Sequence, residues 1–286
     1  MLRKAAGSGP WQGEPGLQGK AGCVGFPPVF IPVRDINPTR TTPIVTYVII
    51  AANILVWLWQ LSLQVTGRGW LEAGYSVVPV RLTGDPTGES FTILTSMFMH
   101  ANLAHIGGNM LFLYIFGDNV EDSLGHGRYV VFYLACGAAA ALAQVLVGPG
   151  SHVPMIGASG AISGVLGAYV VLYPRAPIMV LNPVFLLWFV LGPLLVFPAW
   201  LAIGMWFFWN LLGGLGSLAG QGGMVAFFAH LGGFAAGLML IRPWMRGRQR
   251  RQAKRWEGWQ RPRRPPPRGD GGGQHPDPWD PPDRYH

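Results

Sequence analysis

The chain has 286 residues, half of them hydrophobic, a mean hydropathy of +0.30 and 12% charged residues, against roughly 25% in a soluble globular domain. Its net charge of +8 says little about nucleic acid, because the basic residues are gathered beside the apolar region, and no nucleic-acid partner is expected. Of 21 Lys and Arg, five precede Ile44 and twelve follow Ile241, leaving four across the two hundred residues between, so the composition excludes an ordinary soluble domain and places a membrane domain between two basic ends.

In chain order, residues 1–43 form a polar N-terminal arm without the apolar stretch of a cleavable signal peptide. Stretches of about 20 apolar residues are what a ~30 Å hydrocarbon core asks of a helix, and Ile44 to about Thr66 is the first such span. A long polar connection, Gly67 to about Ser90, leads to a short apolar segment, Leu94–Met99, read as an interfacial helix. Further spans follow at about Leu103–Gly117, Tyr129–Val147 and Pro154–Tyr173, and the last at Met224–Ile241. Between them, Ala176–Gly214 is uncharged but interrupted by Pro177, Pro183, Pro193 and Pro198. Proline removes a backbone donor and clashes with the preceding turn. The reading is an irregular interfacial segment to about Val190, then one span ending near Leu212; a seventh, hidden helix is the alternative.

Charge parity favours six. Both ends are basic, which marks both as cytoplasmic and requires an even number of crossings. Arg128 and Arg175 fall in predicted inside loops, and the outside loops at 148–152 and 215–222 carry no Lys or Arg. The expected fold is an all-α integral membrane bundle of six transmembrane helices over 44–241, with a long first outer loop. Residues 242–286 form a basic Pro/Gly-rich tail expected to be disordered. Cys23 and Cys136 form neither a metal spacing nor a disulfide framework.

Polar groups at membrane depth are costly and each needs a reason. Ser159 lies in Gly157-Ala158-Ser159-Gly160, followed by Gly164. Small residues at such spacing let helices approach closely, so packing alone would account for the segment. The other reading is a nucleophilic hydroxyl in a first helical turn, where free N–H groups favour an oxyanion. His230 could simply bond a carbonyl, but Gly233 and Gly237 lie three and seven residues on, along the same helical face. A serine needs a base within about 3 Å, and Gly160 and Gly164 offer a matching surface. Both residues sit about five or six positions into inward-running spans, roughly 8–9 Å deep at 1.5 Å per residue. His105 and Asn109 share a face one turn apart near the outer end of the second span and could donate to an oxyanion; a structural polar pair is the alternative. No His-Glu-x-x-His and no nearby membrane carboxylate support a metal, so no metal or cofactor is expected.

Together these motifs resemble the rhomboid intramembrane serine proteases, over about Asp35 to Ile241 and including Phe116-Gly117-Asp118-Asn119-Val120-Glu121-Asp122. The resemblance implies a Ser159–His230 dyad without an acid member, an oxyanion held by His105, Asn109 and the Ser159 N–H, and Glu121 as a structural carboxylate. Two positions depart from the pattern. Ser163 stands where many members carry an aromatic that stacks on the catalytic His, and Phe91-Thr92 stands where many have Trp-Arg. The expected function is an endopeptidase cutting single-pass membrane proteins near the outer face, in a bacterial cytoplasmic membrane, with His105, Asn109, Ser163 and His152 lining a water-filled cavity. A catalytically silent scaffold binding transmembrane helices is the competing class, and a transporter would require inverted repeats that are not seen. No motif sets an oligomeric state.

Overall fold

The computed structural model describes residues 31–68, 73–182, 188, 192–218 and 227–245. Its helices are α1 (Ile44–Val65), three short ones, α2 (Pro79–Gly84), α3 (Pro86–Glu89) and α4 (Phe91–Thr95), then α5 (Leu103–Leu124), α6 (His126–Val147), α7 (Ser159–Leu172), α8 (Ala199–Leu218) and α9 (Phe227–Trp244). The expected tail lies outside the described residues from position 246 onward, as do residues 1–30 of the arm, including Cys23. Cys136 is a free, buried thiol.

α1 is built inside out relative to a helix in water. Its buried positions include Thr46, Asn53 and Gln60, seven residues apart on one face, while Val48, Leu55 and Leu58 are 60%, 66% and 51% exposed. Apolar residues outward and polar ones inward suit a hydrocarbon surround, where each inward polar group must find a protein partner. Asn53 donates to the Ile49 carbonyl (2.8 Å), and Gln60 exchanges two hydrogen bonds with the His100 backbone (2.9 and 3.3 Å). Among the described residues two helices, α1 and α6, are long and apolar enough to cross a membrane, and Ser159–Leu172 and Ala199–Trp209 are shorter apolar helices.

Glu121 explains how the start of α1 meets the end of α5. Its carboxylate is fully buried and accepts from the Val45 N–H (2.9 Å), the Thr46 N–H (2.7 Å) and the Thr46 hydroxyl (2.7 Å), with His126 Nδ1 at 2.6 Å. First-turn N–H groups have no partner within their own helix, and a negative charge there is favoured by the helix dipole. α5 stops at Gly125, whose φ of +80° suits only glycine without strain.

The expectation of an all-α chain is corrected by a three-stranded antiparallel sheet in the order β1 (Pro32–Asp35), β2 (Pro177–Leu181), β3 (Leu194–Pro198). Pro177 pairs with Pro198 and Leu181 with Leu194; Pro32 pairs with Val180 and Asp35 with Ile178, with an irregularity between Pro32 and Arg34. Prolines at the strand ends cost no central ladder bond, and β2 alternates as a half-buried strand should, Ile178 and Val180 inward. The segment read as irregular is therefore largely a hairpin, with residues 183–187 and 189–191 outside the described set. The last part of the arm folds onto the helical unit instead of standing apart, and the helix that follows starts at Ala199, directly after Pro198.

Asp35 docks this sheet on the bundle. Its Oδ2 accepts from Asn119 Nδ2 of α5 (2.7 Å) and from the Tyr169 hydroxyl of α7 (2.8 Å). Burial and then the neighbouring Asp118 carboxylate raise its pKa from 3.8 to about 7, against the lowering effect of the Tyr169 hydrogen bond. The folded chain thus holds a proton that the unfolded chain releases near pH 4, so this contribution is complete below about pH 4 and is lost as pH rises through about 7. Melting temperatures measured in detergent across that window are expected to fall with rising pH in the wild type, and the difference from Asp35→Asn should vanish at low pH. A constant difference would exclude Asp35 as the titrating group.

Candidate active site

Ser159 is the first residue of α7, so its N–H has no carbonyl one turn back to bond. The loop before it is pinned at three points. Met155 and Val77 exchange backbone hydrogen bonds (3.2 and 2.7 Å), the Val80 N–H donates to Ser151 (3.0 Å), and the Gly157 N–H donates to the Ser96 carbonyl (2.8 Å). Gly157 has φ +122°, and a Cβ there would sit 2.8 Å from the His105 ring. This corrects its expected role: it belongs to the approach to Ser159 and not to the helix seam, because it lies before the helix starts.

The seam itself is made by the other four glycines. A Cβ on Gly233 would overlap the Gly160 carbonyl oxygen, and one on Gly237 would overlap the Gly164 carbonyl oxygen. At the same level α7 meets α6, where a Cβ on Gly160 would crowd Ala140 and one on Gly164 would crowd Cys136. α7 is therefore held backbone to backbone against α9, the helix that carries His230.

Ser159 and His230 line one cavity of about 210 Å³, together with Ser96, Met97, Met155 and Gly157 among others. His230 is 9% exposed, and among the described residues neither ring nitrogen has a hydrogen-bond partner. Its ring lies 5.8 Å from that of Trp206 on α8, at an interplanar angle of 49°. Ser163 does not reach the ring; its hydroxyl donates back to the Ser159 carbonyl at 2.7 Å, the usual local bond of a helical serine. Of the four residues expected to line it, His105, Asn109, Ser163 and His152, none belongs to the cavity wall, and His105 and Asn109 approach it only through Gly157.

His105 and Asn109 approach from α5. The Asn102 side chain caps that helix by accepting from the His105 N–H (2.9 Å), which fixes His105 in the first turn. His105 Nδ1 accepts from the Ala101 N–H (3.4 Å), leaving Nε2 as the protonated nitrogen. Nε2 is one of the two ring atoms nearest Gly157, and Asn109 Nδ2 would be 3.7 Å from a Cβ there. That amide nitrogen is buried with no acceptor among the described residues, an arrangement suited to an oxygen that arrives with a substrate.

The sequence did not point to two groups around the site. His100, five residues before His105 and ahead of the start of α5, packs its ring edge-on against it at 5.1 Å while its backbone is held by Gln60. Trp206 sits in an aromatic run, Trp206-Phe207-Phe208-Trp209, with no spacing that singles it out. The long connection after α1, lacking Trp-Arg, is organised by Arg81, which grips Glu89 with two nitrogens (Nη2–Oε2 2.6 Å). It leans on α1 through Phe91, Tyr75 and Trp59, with ring centroids 6.5 and 5.5 Å apart.

Comparison with known proteins adds an independent finding. A family profile described as Rhomboid domain matches residues 87–246. The chain is similar to the mitochondrial rhomboid protein 1 of Saccharomyces cerevisiae, 30% identical over 230 residues, which are 75% of this chain and 58% of that protein. It is similar to the rhomboid protease GluP of Bacillus subtilis, 41% identical over 90 residues, 31% of this chain and 17% of that one. Against the putative rhomboid protease YdcA of the same bacterium it is 28% identical over 132 residues, 46% of this chain and 62% of the other. The matches thus span less than two thirds of each relative's length.

Proposed function

The chain belongs to the rhomboid family of membrane-embedded proteins, and on that premise we propose that it is a serine endopeptidase acting inside the bilayer through Ser159 and His230. The single observation that carries the reading is that these two residues share one cavity while the two donors of α5 converge on the loop entering Ser159.

In this reading Ser159 Oγ attacks the scissile carbonyl as His230 takes its proton, and His230 then protonates the departing amine. Water then clears the acyl-enzyme: His230 takes its proton as it attacks the acyl carbonyl, and returns that proton to Ser159 Oγ as the ester bond breaks. Negative charge on the carbonyl oxygen is met by Asn109 Nδ2, His105 Nε2–H and the Ser159 N–H. The reaction uses protein groups alone. The substrates are single-pass membrane proteins cut near the outer face. Such segments must unwind locally, since a helical peptide carbonyl is hydrogen-bonded and hidden. α1 and α5 to α9 are the six crossings of this proposal, with both ends on the Lys- and Arg-rich side. A bacterial cytoplasmic membrane is the proposed location on the sequence's composition.

The test is a single-pass reporter with a detectable ectodomain, expressed with the wild type and with Ser159→Ala. The wild type is expected to release a fragment and Ser159→Ala none. Release by Ser159→Ala would sink the mechanism, and no release by the wild type across several reporters would favour a scaffold that binds transmembrane helices.

A further inference from the structure

An imidazole that serves as a base is ordinarily aimed by a third group bonded to its far nitrogen. His230 has no such bond: neither ring nitrogen meets a hydrogen-bonding partner among the described residues. Ser163 does not help, because its hydroxyl is committed to the Ser159 carbonyl. Orientation must then come from packing, and the ring contact available is Trp206, 8% exposed, with centroids 5.8 Å apart.

Resting on the proteolytic reading above, we infer that Trp206 is a positioning residue that holds the His230 ring toward Ser159, supplied by α8 where this chain has no aromatic at 163. Trp206 is itself braced from behind. It packs on Phe112 of α5 (5.7 Å, 44°), which packs on Phe116 (5.8 Å). Phe112 lies three residues after Asn109 and seven after His105, on the same helical face. One face of α5 therefore carries both oxyanion donors and the backing of the ring that aims the base. The arrangement makes a specific demand: an aromatic side chain on α8 at this position, whatever its identity. Leucine would keep apolar bulk there without offering a flat face.

The experiment uses the full chain in detergent and compares Trp206→Phe, Trp206→Leu and Trp206→Ala by two readouts. One is the second-order rate at which a fluorophosphonate probe labels Ser159; the other is kcat and KM on the reporter. Loss of alignment is expected to lower the labelling rate and kcat by roughly 10- to 100-fold in Trp206→Leu and Trp206→Ala. KM should stay within about 2-fold, and Trp206→Phe should recover to within about 3-fold of wild type. Trp206→Leu keeps apolar bulk, so it remains informative should Trp206→Ala fail to fold. Wild-type labelling in Trp206→Leu overturns the inference, as does equal impairment of Trp206→Leu and Trp206→Phe, or a change in KM alone. Labelling that persists in Ser159→Ala overturns the proteolytic reading instead, so the two failures are distinguishable.

Discussion

His230→Ala is expected to lower turnover by roughly 10²–10⁴-fold, and adding Ser159→Ala to it should cost nothing further. The first half follows from the cavity. Among the described residues in its wall, His230 is the only titratable side chain, so no other group of the wall can take the proton from the Ser159 hydroxyl, and His105, near Gly157, presents Nε2–H as a donor. General-base assistance is worth about 10²–10⁴-fold, and a serine hydroxyl without it is a poor nucleophile at neutral pH. The second half follows from the two residues acting as one unit: once either is gone, the other has no step to perform. Kinetics on the reporter for the two single variants and the double check both parts. A double variant much slower than either single one would mean that Ser159 and His230 contribute independently, which a dyad does not allow.

The features that could be read from the chain were those written in local spacing. α1 is expected at Ile44–Thr66 and runs Ile44–Val65 because an uncharged apolar stretch of that length has few other stable forms in lipid. The glycine seam was legible for a similar reason. Gly233 and Gly237 follow His230 at three and seven residues, and Gly160 and Gly164 lie four apart on the helix that Ser159 opens, so each pair defines a face before any partner is known. What is not written locally was missed. β2 is five residues long, and short apolar runs do not reveal strand or helix by periodicity. Its partner β1 comes from the far end of the chain, so the pairing has no local signature. Asp35 looked like one more charge of the polar arm, yet its contacts lie 84 and 134 residues away. Gly157 was placed with the packing glycines because its neighbours are glycines; its φ of +122° depends on the loop being tied to Ser96, a contact the sequence does not announce. Trp206 was missed because a tilted contact between two helices depends on their crossing, not on either sequence.

The seam makes a further demand in which one substitution has opposite signs at two sites. Alanine is favoured over glycine inside a helix by roughly 0.8–1.0 kcal/mol, and at Gly204 on α8 a new Cβ meets nothing within 4 Å. Gly204→Ala is therefore expected to leave activity unchanged and to hold or raise the midpoint of unfolding. At Gly233 the same methyl would overlap the Gly160 carbonyl oxygen, and at Gly237 the Gly164 carbonyl oxygen. Neither obstacle is a side chain that can rotate away, so α9 must back off from α7. Overpacking of this kind typically costs about 1–3 kcal/mol, enough to outweigh the helix preference. The displacement also has a direction that matters for chemistry. Gly233 is one turn below His230, so lifting α9 there carries the imidazole away from Ser159, and about 1 Å of misplacement can cost on the order of 10²-fold in rate. Gly233→Ala should consequently lose about two orders of magnitude in kcat, with KM little changed and the oxyanion donors untouched. Gly237→Ala, a further turn away, should cost comparable stability but less rate. Unfolding midpoints in detergent and reporter kinetics on the three variants test the pattern. Equal, neutral behaviour at 204, 233 and 237 would mean that close backbone contact is not what brings the base to the nucleophile.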